Sequence, residues 1–319
     1  MENKIEKPLV SILSITYNHS GYIRKALDSF LMQKTTFDFE IVVADDCSTD
    51  NNQDIIREYK EKYPDIIVSI LRTKNVGANN NFNDAFDKCR GKYIAICEGD
   101  DYWTDPNKLQ KQVDFLESNP DYSMVCTNYY KKRDDKILEV VVPKNISYQS
   151  LLTQGNKIGT LTSMFKRVDY FDFIKEINPL QKNWLAGDLP LWLYLSTKGR
   201  IKVLDDFTGV YRVLQSSASH FQDIDKQYQF FENMISIREF FHNKYSSDNV
   251  EITQKLRIRK INLEMYKWFN KSSVKQYYKV LKQKHQLEKK YHLTDIIKLV
   301  VLATGLMFVY KLRKNLLIK

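Results

Sequence analysis

Three carboxylates stand within four residues in Glu98-Gly99-Asp100-Asp101, directly after the apolar run Tyr93-Ile94-Ala95-Ile96. Such a run reads as a buried strand, so the acids fall at its carboxyl end, where open α/β sheets hold their ligands. Like charges this close repel one another and require a cation or hydrogen-bond donors in compensation. A divalent cation that also holds phosphate oxygens is the natural compensator. A solvated acidic turn or a helix N-cap is the alternative reading. Two further polar clusters end apolar runs in the same way: Thr16-Tyr17-Asn18-His19 and Asp45-Asp46-Cys47-Ser48-Thr49-Asp50.

The elements that must position these clusters are legible from periodicity. Leu9–Ile15, Glu40–Ala44, Ile66–Leu71 and Tyr93–Ile96 read as strands. Between them, Gly21–Gln33 carries apolar residues at helical spacing (Ile23, Leu27, Phe30, Leu31). A second helix runs to about Lys62 from an N-cap at Ser48 or Asp50, and a third covers Asn80–Cys89. Strands alternating with helices predict an α/β unit with a mostly parallel sheet. Beyond it, 106–117 reads as helix and 123–129 as strand, and 145–225 is expected to be a mixed region packing over the sheet. From about Asp225 a helical extension begins, with aromatic and basic residues at helical spacing through Phe241 and again from Val250 to Tyr291.

Composition is that of a globular chain: 319 residues, 43% hydrophobic, 28% charged and 13% aromatic. Its four cysteines (Cys47, Cys89, Cys97, Cys126) have no metal-site spacing and read as free thiols, which together with a charged N-terminus lacking an apolar signal core predicts a cytoplasmic protein. The net charge of +10 is concentrated in the tail: 244–319 holds 18 lysines and arginines against 5 acids, and the remainder is slightly acidic. An anionic surface is therefore the expected partner of the tail alone. Leu299–Tyr310 is uncharged and apolar between Lys298 and Lys311, Arg313 and Lys314. It is shorter than the roughly 20 residues a membrane span needs, so an interfacial helix with snorkelling lysines is expected.

Taken in order, Val10-Ser11-Ile12 leading to Thr16-Tyr17-Asn18, then Val42–Asp50, Asn75-Val76-Gly77 and Glu98-Gly99-Asp100-Asp101 resemble the successive signatures of family 2 glycosyltransferases. The resemblance covers about residues 8–219. It implies a GT-A-type (Rossmann-like) α/β fold, with a mixed, mostly parallel sheet flanked by helices and the helical extension following it. Domains are expected at 1–225 and 226–319. It also implies inverting transfer from a nucleotide-diphosphate sugar, with Mn²⁺ or Mg²⁺ as cofactor and a glycan or lipid-linked acceptor.

Residue by residue, the resemblance assigns Thr16, Tyr17, Asn18, Asp45, Asp46, Arg72, Asn75, Gly77, Glu98 and Arg212 to the nucleotide. Tyr17 would stack on a uracil base, and Asp46, or its neighbour Asp45, would accept from the base N3–H. Gly77 would permit a turn with positive φ. Glu98-Gly99-Asp100 occupies the place of the family's Asp-x-Asp motif with Glu as its first acid, so the metal role falls on Asp100 with Glu98. Asp101 is assigned to supporting the loop or to the donor sugar, and Trp103 to the donor sugar, with a buried anchor as the other reading of Trp103. Gly187-Asp188 stands where the family usually has Glu-Asp, making Asp188 the candidate general base. A helix N-cap is the competing reading of Asp188; Asp172, Asp205 and Asp206 are weaker substitutes. Gly209–Leu214 resembles the motif that closes over the diphosphate. Arg212 would bond phosphate, although Leu214 stands where His is common.

Two other function classes compete. A sugar-nucleotide-forming nucleotidyltransferase would favour a Gly-rich basic loop near the N-terminus, which Ser14–Asn18 is not. Nucleic-acid binding by the basic tail fits poorly with lysines spread along helices that end in an apolar segment, so no nucleic acid is expected as partner.

Overall fold

The computed structural model of the chain describes residues 7–134, 136–214, 223–289 and 292–303. The chain divides into two compact units, residues 1–215 and 216–319.

The first unit opens with β1 (Val10–Thr16), α1 (Ile23–Leu31), β2 (Phe39–Asp45), α2 (Asn52–Lys62), β3 (Ile67–Leu71), α3 (Ala78–Lys88) and β4 (Tyr93–Ile96). It continues through β5 (Tyr102–Trp103), α4 (Lys108–Ser118), β6 (Tyr122–Arg133), β7 (Lys136–Val140), α5 (Tyr148–Thr153), β8 (Met164–Lys166), α6 (Arg167–Ile177), α7 (Asp188–Lys198) and β9 (Arg200–Arg212). The strands form one mixed sheet in the order β3-β2-β1-β4-β8-β6-β9-β5, with β7 paired to β6. β3, β2, β1 and β4 are mutually parallel, as are β6 and β9, whereas β8 runs antiparallel to both of its neighbours.

The central strands are apolar on both faces because helices cover both. Val10, Ile12 and Leu13 of β1 and Ile41, Val42 and Val43 of β2 are fully buried, and Ile23, Ala26, Leu27 and Phe30 turn the inner face of α1 onto them. The N-cap of α2 is Asn51 rather than Ser48 or Asp50. Asp50 instead accepts from the Asn52 amide at 3.1 Å and from the Ser20 amide at 2.9 Å.

Residues 145–225 do not simply pack over the sheet: β8 and β9 enter it. β8 is only three residues long, too short for a period to show, and its Met164 and Phe165 are fully buried. β9 hides its alternation at a bulge. Leu204 pairs with Thr127 and Phe207 with Asn128, so Asp205 and Asp206 are the extra residues and turn outward to Lys144 and Lys111.

Lys108 of α4 lies in the core of this unit. Its side chain is fully buried, Nζ sits 4.3 Å from the Trp103 ring centroid and donates to Gln112 Oε1 at 2.6 Å. Burial outweighs the charges of Cys97, Cys126 and Asp105 and lowers its pKa to about 7. The unfolded chain, with an ordinary lysine, therefore binds more protons between pH 7 and about 10.5, and stability from this group rises with pH across that window. In urea titrations, the wild type is expected to gain on the order of 2 kcal/mol over Lys108→Met between pH 7 and pH 9. A constant difference between the two proteins would contradict a neutral buried lysine.

The second unit is helical: α8 (Ile224–Tyr245), α9 (Val250–Asn270), α10 (Val274–Glu288) and α11 (Leu293–Ala303). Asp223 caps α8, accepting from the Asp225 and Lys226 amides. The buried His242 joins α8 to α9, its ring nitrogens lying 2.9 Å from Ser246 Oγ and 2.8 Å from Thr253 Oγ1. Met265, Phe269, Tyr277, Val280, Leu281 and Leu302 form a core between α9, α10 and α11. Among the described residues no helix is long and apolar enough to cross a membrane. Residues 304–310 of the expected interfacial segment lie outside the described residues. All four cysteines are free, with Cys89, Cys97 and Cys126 buried.

Candidate active site

Strand register brings the polar clusters together. Thr16 pairs with Asp45, and Asp45 with Leu71, so the turns after β1, β2 and β3 leave the sheet side by side. Leu13 pairs with Ile96, which sets the acidic turn after β4 beside the turn after β1. The chain runs outward from β1 through β2 to β3, then returns to β4 on the other side of β1. The β1/β4 boundary is thus the topological switch point, where a crevice opens at the carboxyl ends of the strands.

Hydrogen bonds sort the two adjacent aspartates. Asp45 is fully buried and accepts from the Ser48 amide and hydroxyl, Asn52 Nδ2 and Gln53 Nε2, which saturates it. It is tied into the loop that it shapes. Asp46 turns the other way: its carboxylate accepts from the Val76 amide at 2.8 Å and the Gly77 amide at 2.9 Å, and its carbonyl from Asn75 Nδ2 at 2.9 Å. Gly77 has φ +85°, the left-handed backbone that glycine adopts without strain. Asn18, at φ 56°, ties the first two turns together by accepting from the Thr49 amide and donating its own amide to Ser48 Oγ. The Tyr17 ring is 44% exposed above these turns.

Two residues assigned to the nucleotide have side chains engaged within the fold. Thr16 is buried, its hydroxyl accepting from Asn52 Nδ2 at 3.2 Å. Arg72 reaches back to α3, donating to Asn81 Oδ1 and pairing with Asp84. Trp103 is likewise corrected: it is buried, its indole N–H donates to the Leu161 carbonyl at 2.7 Å, and its ring packs on Phe30. That is the buried-anchor reading, because β5 carries Trp103 to the inner face of the sheet.

The acidic turn is held tightly from outside. The Gly99 amide donates to the Ile15 carbonyl, and a Cβ at Gly99 would lie 2.6 Å from Thr16 Oγ1, so only glycine lets the turn pack this close to β1. Asp101 is buried and accepts from the Arg212 amide at 2.8 Å. Burial, then the charges of Asp100 and Glu98, raises the Asp101 pKa well above the usual carboxylate range. Burial raises that of Glu98 to about 8, with Asp100 and Asp188 adding to the shift. The turn concentrates carboxyl groups that resist ionising together, because burial and their mutual repulsion are poorly compensated.

Arg212, at the end of β9, supplies the nearest compensation. Its guanidinium donates to the Asp100 carbonyl and lies between the Tyr22 and Tyr102 rings, 5.2 Å and 4.4 Å from their centroids. Asp188 begins α7; its carboxylate accepts from the Leu189 amide at 2.7 Å and from Asn156 Nδ2 at 3.0 Å. Its charge acts on Glu98, so α7 brings it toward the acidic turn. It is a residue of the first turn of α7.

Four neighbours of these groups were given no role from the sequence: His19, Tyr22, Tyr102 and Asn156. His19 Nε2 lies 4.0 Å from Asp100 Oδ2, and its buried Nδ1 has no hydrogen-bond partner. The spacing of His19 and Tyr22, one turn apart at the start of a helix after an assigned loop, was the available signal. Among the described residues no three acidic, His or Cys side chains converge closely enough to hold a metal by themselves. Asp100 and Glu98 offer hard oxygen ligands that suit Mg²⁺ or Mn²⁺, provided phosphate or water oxygens complete the shell.

Comparison with known proteins decides the affiliation. Residues 11–171 match the family model described as Glycosyl transferase family 2. The chain belongs to glycosyl transferase family 2. The family 2 chain is 38% identical over 213 residues to uncharacterised proteins of Mycobacterium bovis and Mycobacterium tuberculosis, a match covering 64% of this chain and 58% of theirs. The chain thus spans less than two thirds of those relatives. It is 32% identical over 222 residues to the putative teichuronic acid biosynthesis glycosyltransferase TuaG of Bacillus subtilis, covering 67% of this chain and 82% of TuaG. Among solved structures, Staphylococcus aureus TarS (residues 1–349, in complex with UDP) superposes with a TM-score of 0.56 at 17% identity, covering 89% of this chain and 92% of that one. That likeness confirms the GT-A-like fold of this family 2 member, with its C-terminal helices.

Proposed function

We propose that the protein is a divalent-cation-dependent, inverting glycosyltransferase that moves a sugar from a UDP-sugar to a hydroxyl of a lipid-linked or polysaccharide acceptor, attached peripherally to the cytoplasmic face of the membrane. The observation that carries this is the meeting of Glu98, Asp100, Asp188 and Arg212 at the β1/β4 switch point, next to the open ring of Tyr17 and the carboxylate of Asp46.

Uracil stacks on Tyr17 and donates its N3–H to Asp46, which the Val76 and Gly77 amides hold in place. Arg212, fixed between two tyrosines, gives charge-assisted bonds to the diphosphate. Asp100 and Glu98 would hold the cation, which supplies charge neutralisation for the departing diphosphate. Asp188, oriented by Asn156, takes the proton of the acceptor hydroxyl as its oxygen attacks the anomeric carbon. The anomeric C–O bond breaks with its electron pair leaving on UDP, and the configuration inverts.

Relatives support the substrate class. One, 32% identical over 193 residues, is the Escherichia coli UDP-Glc:α-D-GlcNAc-diphosphoundecaprenol β-1,3-glucosyltransferase WfaP, covering 57% of this chain and 74% of WfaP. A Pyrobaculum calidifontis mannosyltransferase in complex with GDP-Man and Mn²⁺ shares the fold (TM-score 0.54, 16% identity, 96% of this chain and 87% of that one).

The test is a donor screen with purified protein. Hydrolysis of one or more UDP-sugars is expected with Mn²⁺ or Mg²⁺ and is expected to stop on chelation, with GDP- and dTDP-sugars turned over more slowly. Release of pyrophosphate from a nucleoside triphosphate and sugar phosphate would instead establish nucleotidyl transfer.

A further inference from the structure

The second unit carries an apolar surface that sugar transfer does not use. Successive residues of an α-helix are rotated by about 100°, so Leu293, Ile296, Ile297 and Val300 of α11 share an arc of about that width. They are 71%, 40%, 46% and 53% exposed. The opposite arc is buried: Leu302 joins the core with Met265, Phe269 and Tyr277, and Asp295 points inward. The Asp295 carboxylate accepts from Lys284 Nζ at 2.6 Å, and its carbonyl accepts from the Tyr277 hydroxyl at 3.2 Å. This buried ion pair sets the roll of α11, acid inward and aliphatic stripe outward. An outer face of a helix is ordinarily polar. A row of branched aliphatic residues in that position marks a surface that is covered when the protein works.

Charge identifies what covers it. The residues from 244 to the end carry 18 basic side chains against 5 acidic ones. On α10 the exposed arc is Lys275, Tyr278, Lys279 and Lys282, with Lys282 Nζ 4.6 Å from the Tyr278 ring centroid. The acids nearest α11 are engaged within the unit, Asp295 by Lys284 and Glu288 by His292. A second copy of the chain would bring the same positive surplus against this one. An aliphatic helix face within a basic unit is suited instead to the headgroup region of an anionic bilayer, where lysines reach phosphates and the stripe enters the acyl boundary.

We infer that Leu293, Ile296, Ile297 and Val300 of α11 form the face with which the protein rests on an anionic lipid surface. This rests on the proposed membrane-carried acceptor and names the residues that make the contact. The partner chemistry is that of acidic phospholipids, and α11 lies along the surface rather than through it.

Vesicle sedimentation of the full chain tests this, with Ile296→Ser/Ile297→Ser as the variant. Both isoleucines are exposed, so an unchanged thermal midpoint is expected. The wild type is expected to bind phosphatidylcholine vesicles containing phosphatidylglycerol and not vesicles of phosphatidylcholine alone. The variant is expected to bind the acidic vesicles at least about tenfold more weakly. Equal binding of variant and wild type overturns the inference. So does wild-type binding that ignores phosphatidylglycerol, or a wild-type dimer that avoids vesicles and becomes monomeric in the variant. UDP-sugar hydrolysis in solution, measured on the same samples, separates the two proposals: its absence beside normal vesicle binding would defeat sugar transfer and leave the docking face standing.

Discussion

Asp100→Asn is expected to lower cation-dependent UDP-sugar turnover by about 10²–10³-fold, the usual loss when one preorganised electrostatic contact to a developing charge is removed. The substitution changes charge with almost no change in shape. The backbone of the turn would remain, because the Gly99 amide still bonds to the Ile15 carbonyl and the Asp100 carbonyl still accepts from Arg212. The loss should therefore fall on cation binding. Titration of Mn²⁺ into the protein with UDP present is expected to show much weaker cation uptake, while the thermal midpoint without cation stays near that of the wild type. Turnover above a tenth of wild type in Asp100→Asn would move the cation role to Glu98 and His19.

Asp188→Asn has the second large expected effect, a fall in kcat of about 10²–10⁴-fold, the range for a lost general base. Donor affinity should hardly change, because Asp188 faces the acceptor side of the reaction in the proposed mechanism. Measuring donor affinity and single-turnover transfer on the same variant separates a base from a structural cap. In the structure one Asp188 carboxylate oxygen accepts from the Leu189 amide and the other from Asn156. An asparagine keeps an acceptor for the Leu189 amide but cannot take a proton from a hydroxyl. Near-normal turnover would reduce Asp188 to the first turn of α7 and reopen the search for a base.

The two residues differ in how they could be found. Asp100 follows a fully apolar strand in a three-acid turn, so its location at a strand end was visible from neighbours alone. Asp188 was found only through resemblance, because an aspartate before an apolar helix is also an ordinary cap. What links it to the acidic turn is its charge acting on Glu98 across more than eighty residues of chain. The same limit explains the corrections. Asp45 and Asp46 are adjacent acids of one type, and only the donors waiting around each decide that Asp45 is tied into its own loop while Asp46 binds the Val76 and Gly77 amides of the next. Trp103 has the chemistry of a sugar platform, but pairing of β5 with β9 turns it into the core.

The amino-acid sequence by itself determined the alternation of strands and helices through Ile96, the acidic turn at a strand end, the left-handed turn at Gly77, and the helical, basic character of the C-terminal region. These are properties of local period, backbone conformation and charge, which neighbours in the chain set among themselves. Tertiary structure decided the rest. It inserted the short β8 and the bulged β9 into the sheet, clamped Arg212 between Tyr22 and Tyr102, and gave Asp188 its orienting Asn156. It also turned the aliphatic stripe of α11 outward by burying Asp295 against Lys284. Each of these depends on which distant side chain arrives with the complementary donor, ring or charge, and pairings of that kind have no period along a chain to reveal them.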